Sequence, residues 1–406
     1  MTNVLLRQSM DLGEKIKQMR SDARYDVSDD DGACIPDLSA IKSSIRSKAA
    51  LPKVPKVFLA NDCVFNCAYC NCRLSNECKR RYVMTPRELA DISVREASQN
   101  GRGIFITSAI YKNPDYTEEL IIETLKIIRN QHLFGGYVHA KIMPGADPEL
   151  IREAGKYADR LSVNIEVARS EGYCKIAKQK NRNNILAPMQ KISELIAEAR
   201  SAGGWRQPRF ATSQTTQLMA GSTGEDDRTI LVLSSALYRK YGLKRVYYTA
   251  FHYEQPAAGY DLPFTATPSW RMSRLYQADR LMQLYGFRPD EIVPEQAPYL
   301  LEDIDPKAAF ALRNLHLFPV EVNTADYETL LRVPGIGITY AKRIIAARQH
   351  CTVTFDVLRK IGVSLKRCRY FILCNGKMAA AAELDPVSLR GLLSGHDGYE
   401  QPPLVQ

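Results

Sequence analysis

Residues 61–70 read Asn61-Asp62-Cys63-Val64-Phe65-Asn66-Cys67-Ala68-Tyr69-Cys70, directly after PKVFLA at 55–60, an apolar run with the β-branched and aromatic content of a strand. Spacings of three and two residues let one loop wrap three thiolates around one face of a metal cluster. A [4Fe–4S] cluster has four irons and normally four thiolates. Cys63, Cys67 and Cys70 as the only protein ligands would leave one iron open. The competing reading is a zinc site with Cys72 or Cys78 as fourth ligand. Five of the ten cysteines fall within residues 63–78, and without a secretory leader such crowding favours metal ligation over disulfides. Cys72 and Cys78 otherwise read as packing or loop residues.

Working outward, apolar strand-like runs alternate with helical stretches. Strands are expected at 55–60, 103–107, 137–142, 160–165, 209–219 and 244–250. Thr85-Pro86-Arg87-Glu88 is a capping box with proline at the first helical position, and Asp147-Pro148 opens a helix in the same way. Residues 117–130 and 228–241 carry helical apolar spacing, and 268–286 reads as a further helix. Strand–helix units in series imply a parallel sheet with right-handed crossovers. The expected fold class is α/β, a partial (β/α)6 barrel over 53–286 with its site at the C-terminal ends of the strands. Ser162, Asn164 and Glu166 alternate along the fourth strand as a buried polar row that needs partners. Water alone could satisfy such a row.

The flanks differ from this core. Residues 1–52 form a polar N-terminal extension, and 287–318, rich in proline and acids, read as a linker or strap. A compact segment follows at 319–378, and 379–406 reads as a frayed tail. Within the compact segment, 322–348 is VNTADYETLLRVPGIGITYAKRIIAAR. Asn323-Thr324 are expected to cap a helix. Pro334-Gly335-Ile336-Gly337 make a tight turn, and a second helix puts Ala341, Ile344 and Ile345 on its apolar face. Glycines permit close approach of a ligand, and amides at a helix N-terminus suit phosphate. Lys342 and Arg343 add charge. A second half, FDVLRKIGVSLKRCRYFI, supplies Arg359, Lys360, Lys366, Arg367 and Arg369.

The formal net charge of the chain is +10, yet residues 332–369 hold nine Lys or Arg against Asp356 alone. A solvated helical face is the ordinary meaning of such a run. Around this turn it reads instead as a phosphate-binding face. No run of about 18 apolar residues is present, so no membrane span is expected. The N-terminal residues meet charges too early for a signal-peptide core, which predicts a cytoplasmic protein.

The CxxxCxΦC motif, with Tyr69 before the last cysteine, resembles the radical S-adenosylmethionine superfamily. The turn at 334–337 strongly resembles the helix-hairpin-helix of DNA repair and processing proteins, the alternative being a scaffolding hairpin. ARYDVS, CVFNCAYCNCRLSN, KIMPGADPELI, TTQLMAGSTGEDDRTIL and FPVEVNTADYETLLRVPGIG together resemble one family along nearly the whole chain: the DNA modification/repair radical S-adenosylmethionine proteins linked to uracil-DNA glycosylases. The resemblance implies a [4Fe–4S] cluster on Cys63, Cys67 and Cys70, S-adenosyl-L-methionine on the open iron, and an external flavodoxin- or ferredoxin-like electron donor. It implies cofactor contacts at Tyr69, at Thr107-Ser108 (without the common GGE sequence), at Ser162, Asn164 and Glu166, and at the turn of Gly221, Thr223 and Glu225. DNA is the implied partner, gripped through its backbone by Pro334, Gly335, Ile336, Gly337, Lys342, Arg343, Lys366 and Arg367, with little sequence specificity. The implied activity is modification or rearrangement of a nucleobase by a 5′-deoxyadenosyl radical, hypermodified pyrimidines of phage-like DNA included. Lesion reversal as in spore photoproduct lyases, a zinc-stabilised non-enzymatic DNA-binding protein and an RNA-modifying enzyme are the alternatives. The stretches 29–53 and 167–184 depart from the family pattern.

Overall fold

Among the described residues five helices begin with proline just behind a side chain that accepts their first free amides, the last being Pro386–Ser394, where Asp385 accepts from the Ser388 amide at 2.8 Å. Thr85 and Glu88 cap each other's backbones at 2.8 and 3.2 Å before the helix at Pro86–Asn100. Asn113 accepts from the Tyr116 amide at 2.8 Å, Asp147 from Glu149 at 2.8 Å, and Asp305 from Lys307 and Ala308 at 3.0 and 3.1 Å. Proline lacks an amide that would be unpaired there anyway, and its fixed φ suits the first turn. These starts set the rhythm of the fold in the computed structural model, which describes residues 12–23, 56–77, 80–100, 103–202, 209–251, 260, 267–379 and 385–394.

The chain divides into two compact units, Met1–Glu225 with Ala236–Met272, and Asp226–Ser235 with Ser273–Gln406. The first holds a six-stranded sheet: β1 (Lys56–Phe58), β2 (Ile104–Thr107), β3 (Val138–Lys141), β4 (Arg160–Ser162), β5 (Ser213–Ala220) and β6 (Arg245–Ala250), all parallel and paired in chain order. A helix follows each of the first five strands. In order they are α2 (Pro86–Asn100), α3 (Pro114–Lys126), α4 (Pro148–Tyr157), α6 (Arg182–Ser201), preceded by the short α5 (Glu171–Ile176), and α7 (Asp227–Tyr241), of which only the part from Ala236 belongs to this unit; α1 (Leu12–Ala23) precedes the sheet. Neighbours in sequence are neighbours in the sheet, which is the winding of a partial (β/α)6 barrel rather than of a doubly wound sheet. Ile104, Ile106, Val138, Ala140, Leu161 and Val246 are fully buried and form the core under these helices.

Sequence and structure differ at some borders. The helix expected at 117–130 starts at Pro114 and ends in a π-helical turn, Ile127–Gln131. The fourth strand stops at Ser162 instead of 165. There the Thr216 hydroxyl enters the ladder, donating to the Val163 carbonyl at 2.7 Å and accepting from the Ile165 amide at 2.9 Å. A side chain that takes over backbone pairing ends the regular ladder.

The second unit contains α8 from Ser273 onward (the whole helix runs Ser269–Tyr285), α9 (Pro289–Ile292) and α10 (Pro306–Arg313). The stretch expected to be a linker, 287–318, is thus partly helical and carries buried Ile292, Leu300, Ile304 and Phe310. β7 (Val320–Glu321) pairs parallel with β8 (Ile372–Leu373) and brackets four helices: α11 (Tyr327–Arg332), α12 (Ile338–Arg348), α13 (Phe355–Lys360) and α14 (Leu365–Cys368). Asn323 and Thr324 do not cap α11. Asp326 does, accepting from Thr329 at 2.7 Å. Asn323 instead ties the turn after β7 to the stretch before α13, exchanging bonds of 3.0 and 2.8 Å with Val353. The expected tail contains α15 (Pro386–Ser394), with Leu389 and Leu393 buried. The N-terminal extension apart from α1 lies outside the described residues.

Candidate functional site

Parallel strands put all their C-terminal ends on one edge, so the loops after β1, β2 and β4 meet there. The β1 and β2 exits stay paired beyond the strands: Ala109 donates to the Ala60 carbonyl and Val64 to the Ile110 carbonyl, both at 2.9 Å. On its other side the cysteine loop docks on the segment after β4. The Ala68 amide donates to the Ile176 carbonyl at 2.8 Å, and the Asn66 amide to Gln179 Oε1 at 3.2 Å.

Within the loop, Cys63, Cys67 and Cys70 are free thiols, with Cys63 and Cys67 buried. The Phe65 amide points at the Cys63 sulfur and the Cys72 amide at the Cys70 sulfur, each at 3.4 Å. Burial pushes the Cys63 thiol up and the Cys67 thiol up to about 12. Cys70 is lowered to about 7, first by its hydrogen bonding with Cys72, with Lys180 and Lys141 also favouring its thiolate. Cys72 is thus a neighbour in the loop that tunes Cys70. Cys78 lies outside the described residues.

One residue that the sequence did not single out holds the loop in shape. The Arg81 guanidinium donates to the carbonyls of Asn61, Cys72 and Arg73 at 2.8, 2.7 and 2.6 Å and of Asn76 at 3.2 Å. Five fixed donors suit a loop whose carbonyls have no ladder to join.

Lys180 was also missed. Its side chain is one-tenth exposed and its Nζ stands 2.7 Å from Glu166 Oε1. It also donates to the Tyr69 hydroxyl at 3.1 Å. Burial disfavours the charge, but Glu166 and the thiols of Cys67 and Cys70 outweigh it and hold the lysine protonated. Burial, then Glu166 and the thiols, pushes the Tyr69 phenol well up. The clue available in sequence was only a basic stretch, and the partner Glu166 is fourteen residues away.

The polar row expected on β4 is not one face. Ser162 is buried and its hydroxyl lies 2.9 Å from His139 Nε2, the neighbouring strand. Glu166 has φ +63°, a left-handed conformation that breaks the alternation of a strand and turns its carboxylate toward Lys180. Asn164 is buried between them. Thr107 ends β2 and Ser108 follows, its hydroxyl donating to the Ala109 carbonyl at 2.6 Å. In the turn after β5, the Glu225 carboxylate accepts from the amides of Gly221 and Thr223 at 2.6 and 3.0 Å and from the Thr223 hydroxyl at 2.8 Å. Gly221 has φ +83°, and a Cβ there would stand 2.0 Å from the Thr267 hydroxyl. This turn is therefore built from within, with Glu225 as its clasp.

Three thiols on one loop, two of them met by backbone N–H groups, with cationic Lys180 beside them, fit an anionic thiolate-ligated cluster. Among the described residues no three His, Cys, Asp or Glu side chains are grouped to hold a single metal ion. A cubane spreads its thiolates over separate irons, unlike the single tetrahedral shell of zinc.

In the second unit, the hairpin turn is anchored from below. Pro334 and Ile336 are buried, while Gly335 is exposed with φ +83°. Lys307 is buried and donates to the Ile336 carbonyl at 2.5 Å. Burial lowers its pKa to about 7, only partly opposed by Asp305. Lys342 and Lys366 are exposed, as is Arg343, which donates to the Ile361 carbonyl at 2.9 Å. Arg367 is engaged by Asp305 at 2.8 Å, so its charge serves the module's interior as well as its surface. The second half repeats the turn: Gly362 has φ +81° and Val363 is buried, as Gly335 and Ile336 are.

Comparison with known proteins finds matches in two parts of the chain. The chain contains a Radical SAM superfamily domain over residues 57–233. It also contains a helix-hairpin-helix motif over residues 319–354. The cofactors of that superfamily are a [4Fe–4S] cluster and S-adenosylmethionine, and its members carry out radical chemistry. Similar solved structures include the FeFe-hydrogenase maturase HydG from Carboxydothermus hydrogenoformans, at 15% identity over 56% of this chain and 50% of that chain, TM-score 0.43. Methylornithine synthase PylB is similar at 14% identity over 68% and 67%, TM-score 0.43. The radical S-adenosylmethionine methyltransferase TsrM from Kitasatospora setae, with cobalamin and a [4Fe-4S] cluster bound, is similar at 13% identity over 78% and 64%, TM-score 0.36. The chain spans half the length of the HydG chain it matches. No curated protein matches it. Among the described residues no helix is long and apolar enough to cross a membrane.

Proposed function

We propose that this protein is a radical S-adenosylmethionine enzyme that acts on DNA, modifying or rearranging a nucleobase, with hypermodified pyrimidines among the candidate substrates. The observation that carries the reading is the presence, in one chain, of a three-thiol loop at the strand ends, with Cys63 and Cys67 buried, and a glycine turn in a module that exposes Lys342, Arg343 and Lys366. When bound, the cluster and S-adenosylmethionine supply a 5′-deoxyadenosyl radical that takes a hydrogen from the substrate. The chain's own residues do the rest. Cys63, Cys67 and Cys70 ligate the cluster, and Arg81 keeps their loop in register. Lys180, held by Glu166, places a fixed positive charge beside the thiolates, where a carboxylate of the cofactor would be favoured. Tyr69, Thr107, Ser108, Ser162, Asn164 and the clasped turn of Gly221, Thr223 and Glu225 line the remainder of the cofactor site. Pro334, Gly335, Ile336 and Gly337 offer backbone to a phosphate, and Lys342, Arg343, Lys366 and Arg367 supply charge. The electron comes from a flavodoxin- or ferredoxin-like donor in the cytoplasm.

A base in a duplex must leave the stack to reach a barrel interior, at a cost of a few kcal/mol. Single-stranded or distorted DNA is therefore the better substrate. The test is mass spectrometry of nucleosides from DNA incubated with the anaerobically reconstituted, reduced full chain and S-adenosylmethionine. A new nucleoside that Cys67→Ala does not make supports the reading. Restoration of a photodimer to its parent bases would instead assign lesion reversal. Turnover only with RNA would overturn the DNA substrate.

A further inference from the structure

The hairpin module is not the only basic surface of the chain. Between Arg169 and Arg182 the sequence carries five Lys or Arg against one acid, Glu171. Lys180 of this set turns inward to Glu166. Arg169, Lys175, Lys178 and Arg182 are exposed. In isolation such a run is a solvated face. Its position distinguishes it. This is the segment on which the cysteine loop docks, through Ala68 on Ile176 and Asn66 on Gln179. The charges therefore stand on the rim of the proposed reaction site, on the strand-end side by which a substrate must enter. An aromatic ring interleaves with them: Lys178 Nζ lies 4.7 Å from the centroid of the Tyr260 ring, and the Tyr260 hydroxyl donates to the Asn66 carbonyl of the cysteine loop.

We infer that this collar is a second DNA-binding element, one that holds the backbone of a single strand flanking the nucleotide placed in the barrel. The inference rests on the reading of DNA as substrate. A nucleotide whose base enters a pocket leaves its own and adjacent phosphates at the pocket mouth. Exposed cations at that mouth neutralise them and raise the local concentration of the strand. Alternating basic and aromatic side chains are the composition of single-strand grooves, where charge tracks the backbone and rings stack on bases without reading sequence. The hairpin module, by contrast, offers a glycine turn that suits duplex backbone. The two surfaces would thus divide the work, one gripping the duplex and the other the strand opened from it.

The test uses the full chain and a labelled single-stranded DNA oligonucleotide, with a duplex of the same sequence as comparison, titrated over a range of salt. Two variants are compared: Arg169→Gln, Lys175→Gln and Arg182→Gln together, and Lys342→Gln with Lys366→Gln. Unchanged iron content and melting temperature establish that each is folded. Single-strand affinity falls with salt by a log–log slope of about 0.7 per phosphate neutralised. The collar variant is expected to lose up to about 2 from that slope and at least tenfold in single-strand affinity at low salt, while keeping duplex binding. The hairpin variant is expected to do the reverse. A collar variant that binds single strands with the wild-type slope overturns the inference and leaves the DNA reading intact, since the wild type still binds. Absence of binding by the wild type to either DNA overturns both. Tighter collar-dependent binding of the RNA of the same sequence overturns the assignment to DNA.

Discussion

Lys180 and Lys307 are both buried lysines, and their surroundings drive them in opposite directions. Burial disfavours the charge of each. At Lys180 a carboxylate 2.7 Å away and nearby thiols reverse that effect and raise its pKa. At Lys307 the nearest acid, Asp305, is engaged by Arg367, and burial lowers the lysine to about 7. The pair shows how differently the two sites are built. The cysteine site of the first unit depends on buried ionisable groups that compensate one another. The hairpin turn of the second depends on backbone conformation, with Gly335 and Gly362 left-handed and apolar Ile336 and Val363 tucked beneath. Substitutions should therefore act through charge in the first unit and through backbone geometry in the second.

The largest effect is expected at the thiols. Anaerobic reconstitution should load about four irons per chain, and Cys63→Ala, Cys67→Ala or Cys70→Ala should abolish that, read by iron analysis and the visible spectrum. Cys72→Ala should keep the cluster, because the Cys72 side chain hydrogen-bonds Cys70 and is not among the three proposed ligands. Stoichiometric zinc without iron uptake would break the contrast at its root.

Next comes the buried pair. Lys180→Met leaves Glu166 without its partner in the interior, and losing one member of a buried ion pair costs about 3–5 kcal/mol. Urea denaturation of the apoprotein should show this loss. Glu166→Gln in the same chain should recover most of it, since the uncompensated charge is then gone. If the double variant is as unstable as Lys180→Met, the stabilisation does not come from charge compensation.

Lys307 gives the converse test. Its folded pKa, about 7, lies below its unfolded value of 10.5. Between those values the unfolded chain binds a proton that the folded chain has released, so stability rises with pH from about 7 to 10.5 and the gain is lost again on acidification. The expected gain is about 2–4 kcal/mol, read as urea midpoints by circular dichroism at pH 7 and 9.5. Lys307→Met, which has no proton to exchange, should flatten this part of the profile.

How much of this was legible in the sequence follows the same division. Features carried by neighbours in the chain were readable: the cysteine spacing, the Thr85–Glu88 box, the Asp147-Pro148 start, the six strands and the Pro334–Gly337 turn. Features made by distant partners were not. Lys180 gains its meaning from Glu166 and Tyr69, Arg81 from carbonyls scattered between Asn61 and Asn76 of the same long connection, and Lys307 from the turn at Ile336. The Ser162, Asn164 and Glu166 row failed for a related reason. Strand periodicity assumes an unbroken ladder, and the Thr216 hydroxyl from β5 interrupts it. Asn323-Thr324 is a plausible cap by residue type, but Asp326 stands three residues before Thr329 and takes the amide.

The smallest effects separate three glycines of the hairpin module. A side chain at a left-handed position costs about 1–2 kcal/mol, which applies to Gly335 and Gly362 and not to Gly337, whose φ is −99°. Space then ranks them further. A Cβ at Gly335 would meet the Arg367 Cβ at 3.1 Å and the Cys368 amide nitrogen at 3.2 Å, both fixed by α14. At Gly362 it would meet only the far end of Arg343, at 2.9 Å, which can swing away. At Gly337 it would meet the Tyr285 hydroxyl at 3.1 Å in an otherwise ordinary conformation. Alanine substitutions should therefore lower the urea midpoint in the order Gly335, Gly362, Gly337, with Gly337→Ala within about 0.5 kcal/mol of wild type. Gly335→Ala should also weaken duplex binding more than Gly337→Ala while leaving iron content unchanged. Equal losses of duplex affinity at Gly335 and Gly337, despite different urea midpoints, would mean that close approach of a ligand, rather than the left-handed backbone, is what the turn's glycines serve.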